Sequence, residues 1–197
     1  MIFLFLNAVL KGNFHIEYDR GYPEMFGYFK ELASAVILLW IGVKTRSPII
    51  LIIFAMIILA FADDVFMFHE GIGLQLSQAL NLSESIDGEG IRGRDIGEVI
   101  YILSVGLFFL GLGAIFYFRE KSSWCRDTVH GVALVMVALV FFSVGMDTAD
   151  HLLKSTHWRH LFGLADDFGE MLGLSAFLAF CIDRLRSYFV LAKNKLL

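Results

Sequence analysis

The chain has 197 residues, 57% of them hydrophobic, and a mean hydropathy of +0.69. Ordinary soluble domains are about 45–50% apolar, so this composition argues against one, and the length allows a single domain. The formal charge of −4 offers no basic surface of the kind that nucleic acid requires. The two cysteines, Cys125 and Cys181, form no CxxC pair, and we expect no disulfide framework.

The first 25 residues are predicted to form an interfacial N-terminal segment. Residues 2–10 are apolar, but a helix needs about 20 residues to cross the hydrocarbon core. The run also lacks a basic leader and a small-residue cleavage site, so we do not expect a signal peptide.

Five later stretches are apolar and long enough to cross a bilayer as helices, which satisfy their own backbone groups in lipid. They cover residues 26–43, 49–68, 96–118, 129–146 and 168–182. The alternating segments of about 10 residues that mark a membrane barrel are not seen. We therefore predict an all-α, polytopic membrane helix bundle with about five transmembrane helices in a single domain, residues 1–197.

Basic residues gather on the side of this bundle opposite to the start of the chain, which we call the basic face. Residues 44–47, residues 119–127 and the C-terminal tail lie there and hold nine of the 16 lysines and arginines. The positive-inside rule places this side in the cytoplasm. We expect a multi-pass protein of a bacterial-type inner (plasma) membrane, with its N-terminus outside and its C-terminus cytoplasmic.

The opposite side, which we call the acidic face, holds 17 of the 20 acids and five of the six histidines. The positive-inside rule does not explain this, since Asp and Glu contribute little to it. The acids lie at helix ends: the second predicted helix ends in DDVFMFHE, the third begins with RGRDIGEVIY, the fourth ends in DTADH and the fifth begins with DDFGE. Four consecutive helices thus place carboxylates at one depth.

Helical spacing predicts one acidic stripe on each helix, because residues three or four apart share a face. In the second helix Asp63 and Glu70 align at seven residues, whereas Asp64 and His69 point elsewhere. The stripes of the later helices are Asp95 with Glu98, Asp147 with Asp150 and His151, and Asp166 and Asp167 with Glu170. Tyr101 lies one turn further into the third helix.

A bound divalent metal would relieve the repulsion between such carboxylates, which otherwise raises the pKa of at least one of them. Four-helix di-metal proteins use carboxylates and histidines from facing helices, although their usual Glu-x-x-His spacing is not found here. The predicted metal ligands are Asp63, Asp64, His69, Glu70, Glu98, Asp147, Asp150, His151, Asp167 and Glu170. Oxygen and imidazole ligands suit Zn, Mn or Fe, with Ca as an alternative.

A simpler interpretation needs no metal. Acids at a helix N-terminus complement the helix dipole, and Arg92, Arg94, Lys154 and Arg159 could pair with neighbouring acids. This account fits the third and fifth helices, but it fails where acids end the second and fourth helices and oppose the dipole.

Two functions from different classes fit the pattern. The first is a metal-dependent membrane enzyme, a hydrolase or an oxidoreductase, that acts on a membrane lipid or a lipid-linked substrate, with Tyr101 as an acid–base group. The alternative is a cation channel or transporter with an acidic external mouth or binding site, built as a homo-oligomer. Few polar residues continue towards the basic face, which favours the enzyme. A structural subunit of a larger complex is a third interpretation.

Overall fold

The computed structural model describes residues 22–82, 93–142 and 159–194, and within these the side chains of 22–24, 159–167 and 194 are left undescribed. The described residues form six helices and no strand, which confirms the all-α fold class and the membrane helix bundle. The helices are α1 (Tyr22–Thr45), α2 (Pro48–Phe66), α3 (Phe68–Ala79), α4 (Gly93–Arg119), α5 (Ser123–Val140) and α6 (Arg159–Asn194).

Four of the described helices, α1, α2, α4 and α5, are long and apolar enough to cross a membrane. The fifth predicted stretch, residues 168–182, lies inside α6, whose polar ends lower its average hydrophobicity. With 36 residues α6 is about 54 Å long, well beyond the roughly 30 Å of a hydrocarbon core. The four apolar helices indicate that the chain is a membrane protein. Of the predicted interfacial segment, residues 1–25, the first 21 residues lie outside the described part of the chain.

A tight turn joins α1 to α2 at the basic face. Arg46 adopts a left-handed conformation with φ 53°, the Ser47 N–H donates to the Gly42 carbonyl, and Pro48 begins α2 at a position where no N–H is needed. Apolar residues at helical spacing then interlock along the two antiparallel helices. The buried core consists of Ala35, Leu38, Ile41, Ile49, Ile50, Ile53, Ile57, Cys125, Val132, Phe177 and Cys181. Both cysteines are free thiols.

The first and last helices are neighbours and run in the same direction. Lys30 of α1 contacts Ser175 of α6, and ten residues later Trp40 packs against Tyr188 and Phe189. The helix α5 packs on the other side of α6, where Gly173 leaves room for Leu139. The first and the last of the described helices therefore pack against each other in the bundle.

The helix α3 is an element that the sequence analysis did not predict. The second predicted span, residues 49–68, ends early because Met67 adopts a left-handed conformation with φ 54° and its N–H donates to the Asp63 carbonyl. The chain turns there and continues as α3, which packs against the start of α4. Gly73 and Gly97 let the two backbones touch, since a Cβ on Gly97 would lie 2.0 Å from the Gly73 carbonyl oxygen.

Candidate functional site at the acidic face

The break at Met67 brings together Asp63 and His69. One carboxylate oxygen of Asp63 accepts the His69 backbone N–H at 2.8 Å, and the other lies 3.0 Å from His69 Nδ1. The first N–H groups of a helix have no partner within it, so Asp63 caps α3 from the end of α2. Its charge lies near the positive end of the α3 dipole, which offsets its unfavourable position in the last turn of α2.

The predicted alignment of Asp63 with Glu70 within the second helix is wrong, because the helix ends at Phe66. Asp63 and Glu70 would share a face only if one straight helix continued through Met67. Because the helix breaks there, Asp63 pairs with His69 instead, and Glu70 turns towards α4.

Tyr101, predicted as the acid–base group, lies beside this pair. Its hydroxyl lies close enough to the Asp63 carboxylate for the two groups to interact electrostatically. Asp63 thus links a histidine on α3 to a tyrosine on α4, and the three residues form what we call the Asp63 cluster. Among the described residues no bond to His69 Nε2 is present, which leaves that nitrogen for another partner.

Glu70 and Glu98, both predicted metal ligands, share the guanidinium of Arg94. Arg94 Nε donates to Glu98 at 2.7 Å, one turn along α4, and a terminal nitrogen of Arg94 contacts Glu70 of α3 at 2.5 Å. This is the arginine pairing that the simpler interpretation of the sequence expected. The ion pairs tie α3 to α4 beside the Gly73–Gly97 contact.

A second group of acids joins three helices. Glu31 of α1 lies close enough to Asp64 of α2 and Glu170 of α6 for their charges to act on its carboxyl group. One oxygen of Glu31 is buried and has no hydrogen-bond partner among the described residues. Asp64 and Glu170 are predicted metal ligands. Glu31 is not among the predicted ligands, although a charged residue inside an apolar block is a recognised sign of function.

Lys30, next to Glu31, was missed as well. It is only 2% exposed, and its ammonium group donates to the Met171 carbonyl and to the Ser175 hydroxyl, both at 3.0 Å. The ring of Phe26 lies below it, 4.5 Å from the nitrogen. A buried cation is thus held mainly by neutral groups, within a helix that crosses the membrane.

Comparison with known proteins adds one finding. The model of a family described as a domain of unknown function (DUF8692) matches residues 9–185. The chain belongs to this family. No curated protein and no solved structure matches the chain. The DUF8692 match includes α1 to α5 and most of α6, so every predicted site residue lies within it.

The remaining predicted ligands fall where the structure gives no side chain. Asp147, Asp150 and His151 lie outside the described residues, and Asp167 lies on α6 with its side chain undescribed. Within the described part of the chain, no group of three or more His, Cys, Asp or Glu residues has the arrangement of a metal site. The described residues instead form the Asp63 cluster, the Arg94 ion pairs and the group around Glu31.

Proposed function

We propose that this membrane protein is a metal-dependent enzyme whose divalent ion binds at the acidic face. The observation that supports this most directly is the bond between Asp63 and His69 Nδ1. Histidines that bind metal through one nitrogen usually bond a carboxylate through the other, which fixes the ring and raises its basicity. In this proposal His69 Nε2 is a ligand, and Asp63 orients the ring from outside the coordination sphere.

Carboxylates from other helices complete the proposed site. Asp64 and Glu170 lie at the same end of the bundle, and the sequence adds Asp147, Asp150, His151 and Asp167 as further ligands. Glu70 and Glu98 have a smaller part in this proposal, because each would first have to leave Arg94. Oxygen and nitrogen ligands of this kind suit Zn, Mn or Fe, with Ca as the alternative.

The proposed chemistry follows from the location of the site. A metal near the membrane surface could activate water for hydrolysis, or take part in oxidation if it is iron, and Tyr101 could exchange a proton through Asp63. The substrate class is a lipid or a lipid-linked molecule, since such a molecule reaches the site from within the membrane. The lysines and arginines of the basic face support an inner-membrane orientation with the acidic face outside.

Metal analysis of the purified full-length protein tests this proposal. We expect the protein to retain a stoichiometric divalent ion and to lose it on chelation, with a lower melting temperature. Metal at about 100 times its dissociation constant stabilises a protein by roughly 2.7 kcal/mol. Acidification should weaken binding, because the ligands must be deprotonated.

Two histidine variants provide the control. His69→Gln should abolish metal retention, whereas His130→Gln, at the basic face, should leave it intact. Equal retention in the two variants, or a wild-type protein that never binds metal, would show that the proposed site is wrong.

The buried charges of α1 favour a second candidate, a cation transporter. Lys30 and Glu31 provide polar groups inside a span, as transport sites do. Beyond them towards the basic face, α1 buries Leu38 and Ile41 in the apolar core, which opposes a through-path. Flux of divalent ions into proteoliposomes, measured with and without Glu31→Gln, distinguishes this candidate. An enzyme should show no flux in either case.

A further inference from the structure

The helices α4 and α5 are consecutive but do not pack along their length. α4 packs on α2 and α3, whereas α5 packs on α6 and touches α2. The two helices meet beside their short connection, where the Tyr117 hydroxyl and His130 Nε2 lie 2.8 Å apart. Beyond this contact, no packing between them is found in the described residues towards the acidic face. We call the space between them the α4–α5 wedge.

The walls of the wedge are apolar and open. Residues spaced by three, four or seven along a helix share one face, so the residues in line with Tyr117 on α4 and with His130 on α5 continue the two faces that meet at this contact. They are Gly106, Leu110 and Gly113 on α4, and Leu134, Val137 and Phe141 on α5. Leu110 is 71% exposed and Leu134 73%, and no atom lies within 4 Å of a Cβ built on Gly113. The wedge therefore has room for a hydrocarbon chain.

The narrow end of the wedge carries the positive charge of Arg126, which acts on the Glu120 carboxylate without forming an ion pair with it in the described part of the chain. The Arg126 guanidinium lies over the Tyr117 ring, 5.1 Å from its centre, and its Nε is buried without a hydrogen-bond partner. Glu120 lies nearby, but its two oxygens already accept bonds from the Ser47 hydroxyl and the Ser122 N–H. No ion pair of Arg126 is found in the described part of the chain.

Two donors thus point to an anion at this position. When the Tyr117 hydroxyl donates to His130 Nε2, the ring proton lies on Nδ1, which becomes a second donor, one helical turn along α5 from Arg126. Arg119 and Lys121, both exposed on the same connection, add positive charge. An arginine fork suits the oxygens of a phosphate.

We propose that the α4–α5 wedge binds one anionic phospholipid from the leaflet at the basic face. The phosphate lies against Arg126 and His130, and one acyl chain lies between α4 and α5, against Gly113 and Leu134. Basic pockets between transmembrane helices are a known way to select anionic headgroups. This site is at the opposite end of the bundle from the Asp63 cluster, so it is independent of the proposed enzyme activity.

Lipid titration of the full-length protein, followed by native mass spectrometry, tests the headgroup contact. Phosphatidylglycerol should bind at least about tenfold more tightly than phosphatidylcholine, and Arg126→Gln should remove most of this preference. Arg186→Gln, which removes an exposed arginine on α6 at the same face, should change it less than about twofold. Equal losses in the two variants would mean general attraction to the surface, and the proposal would be wrong.

Two glycine variants test the acyl-chain contact. Gly113→Leu should fill the wedge and weaken phosphatidylglycerol binding, whereas Gly111→Leu, on a different face of α4 and equally open, should not. Glycerol phosphate, which has no acyl chain, should compete poorly for the site. If it competes as well as the lipid, or if both glycine variants bind normally, the wedge is not a lipid site. Melting temperatures and circular dichroism check that each variant folds, and Arg126→Lys, which keeps the charge, replaces Arg126→Gln if the latter does not.

Discussion

Replacing Gly97 by alanine should separate α3 from α4. The new Cβ would lie 2.0 Å from the carbonyl oxygen of Gly73, and 2.8 Å from its carbon, whereas ordinary contact begins near 3.4 Å. The clash involves backbone, so no side chain can rotate away, and α3 has to move by about 1.4 Å. Overpacking of this kind costs about 1–3 kcal/mol, partly offset by the roughly 1 kcal/mol that alanine gains over glycine in a helix.

Thermal melting in detergent measures the effect. One kcal/mol shifts the melting temperature of a chain of this size by about 2–4 °C, so we expect Gly97→Ala to melt several degrees below the wild type. Gly111→Ala is the matched control: it lies on the same helix with nothing within 4 Å, and should melt at the wild-type temperature or slightly above it. If the two variants melt together, the close packing of α3 on α4 is not as described.

Two other contacts allow similar tests. Ser47→Ala removes a hydrogen bond to the Glu120 carboxylate and should cost about 1–2 kcal/mol at neutral pH. Burial raises the pKa of Glu120, but the hydrogen bonds from Ser47 and from backbone N–H groups outweigh it and lower the pKa below its usual value. The stabilisation is therefore present in full above the ordinary carboxyl pKa and is lost as the pH falls through the lowered pKa of Glu120. The difference in melting temperature between wild type and Ser47→Ala should shrink in acid. A constant difference would contradict this. Arg94→Gln leaves Glu70 and Glu98 without their cation, and we expect a loss of about 1 kcal/mol because the pairs are partly exposed; an unchanged melting temperature would show that these pairs contribute nothing.

The membrane spans could be predicted from the sequence because apolar length alone determines them. The end of α2 could not. The residues around Met67 are apolar, and no glycine or asparagine marks the left-handed conformation that breaks the helix there. The helix α3 could not be predicted as a span either, because residues 68–79 mix polar and apolar side chains and would not cross a membrane by themselves.

The candidate site was predicted in part. The gathering of acids on one face stays a prediction from the sequence. The pairing of Asp63 with His69 could not be predicted, because a separation of six residues brings no two side chains together on a straight helix. Glu31 and Lys30 could have been found, since charged residues within an apolar block are unusual. That Arg94 pairs with neighbouring acids could be proposed from the sequence. That it joins two helices could be seen only in the structure.

The parallel pairing of α1 with α6 has a consequence for how the chain enters the membrane. Lys30 bonds to Met171 and Ser175, which are 141 and 145 residues further along the chain. A lysine costs roughly 2.5–3.5 kcal/mol at the centre of an isolated helix and less towards the end of the span, where Lys30 lies. At about 5–20 residues per second, the partners of Lys30 are synthesised several seconds later at the earliest. We therefore expect the Lys30 end of α1 to reach its final depth only after α6 has left the ribosome.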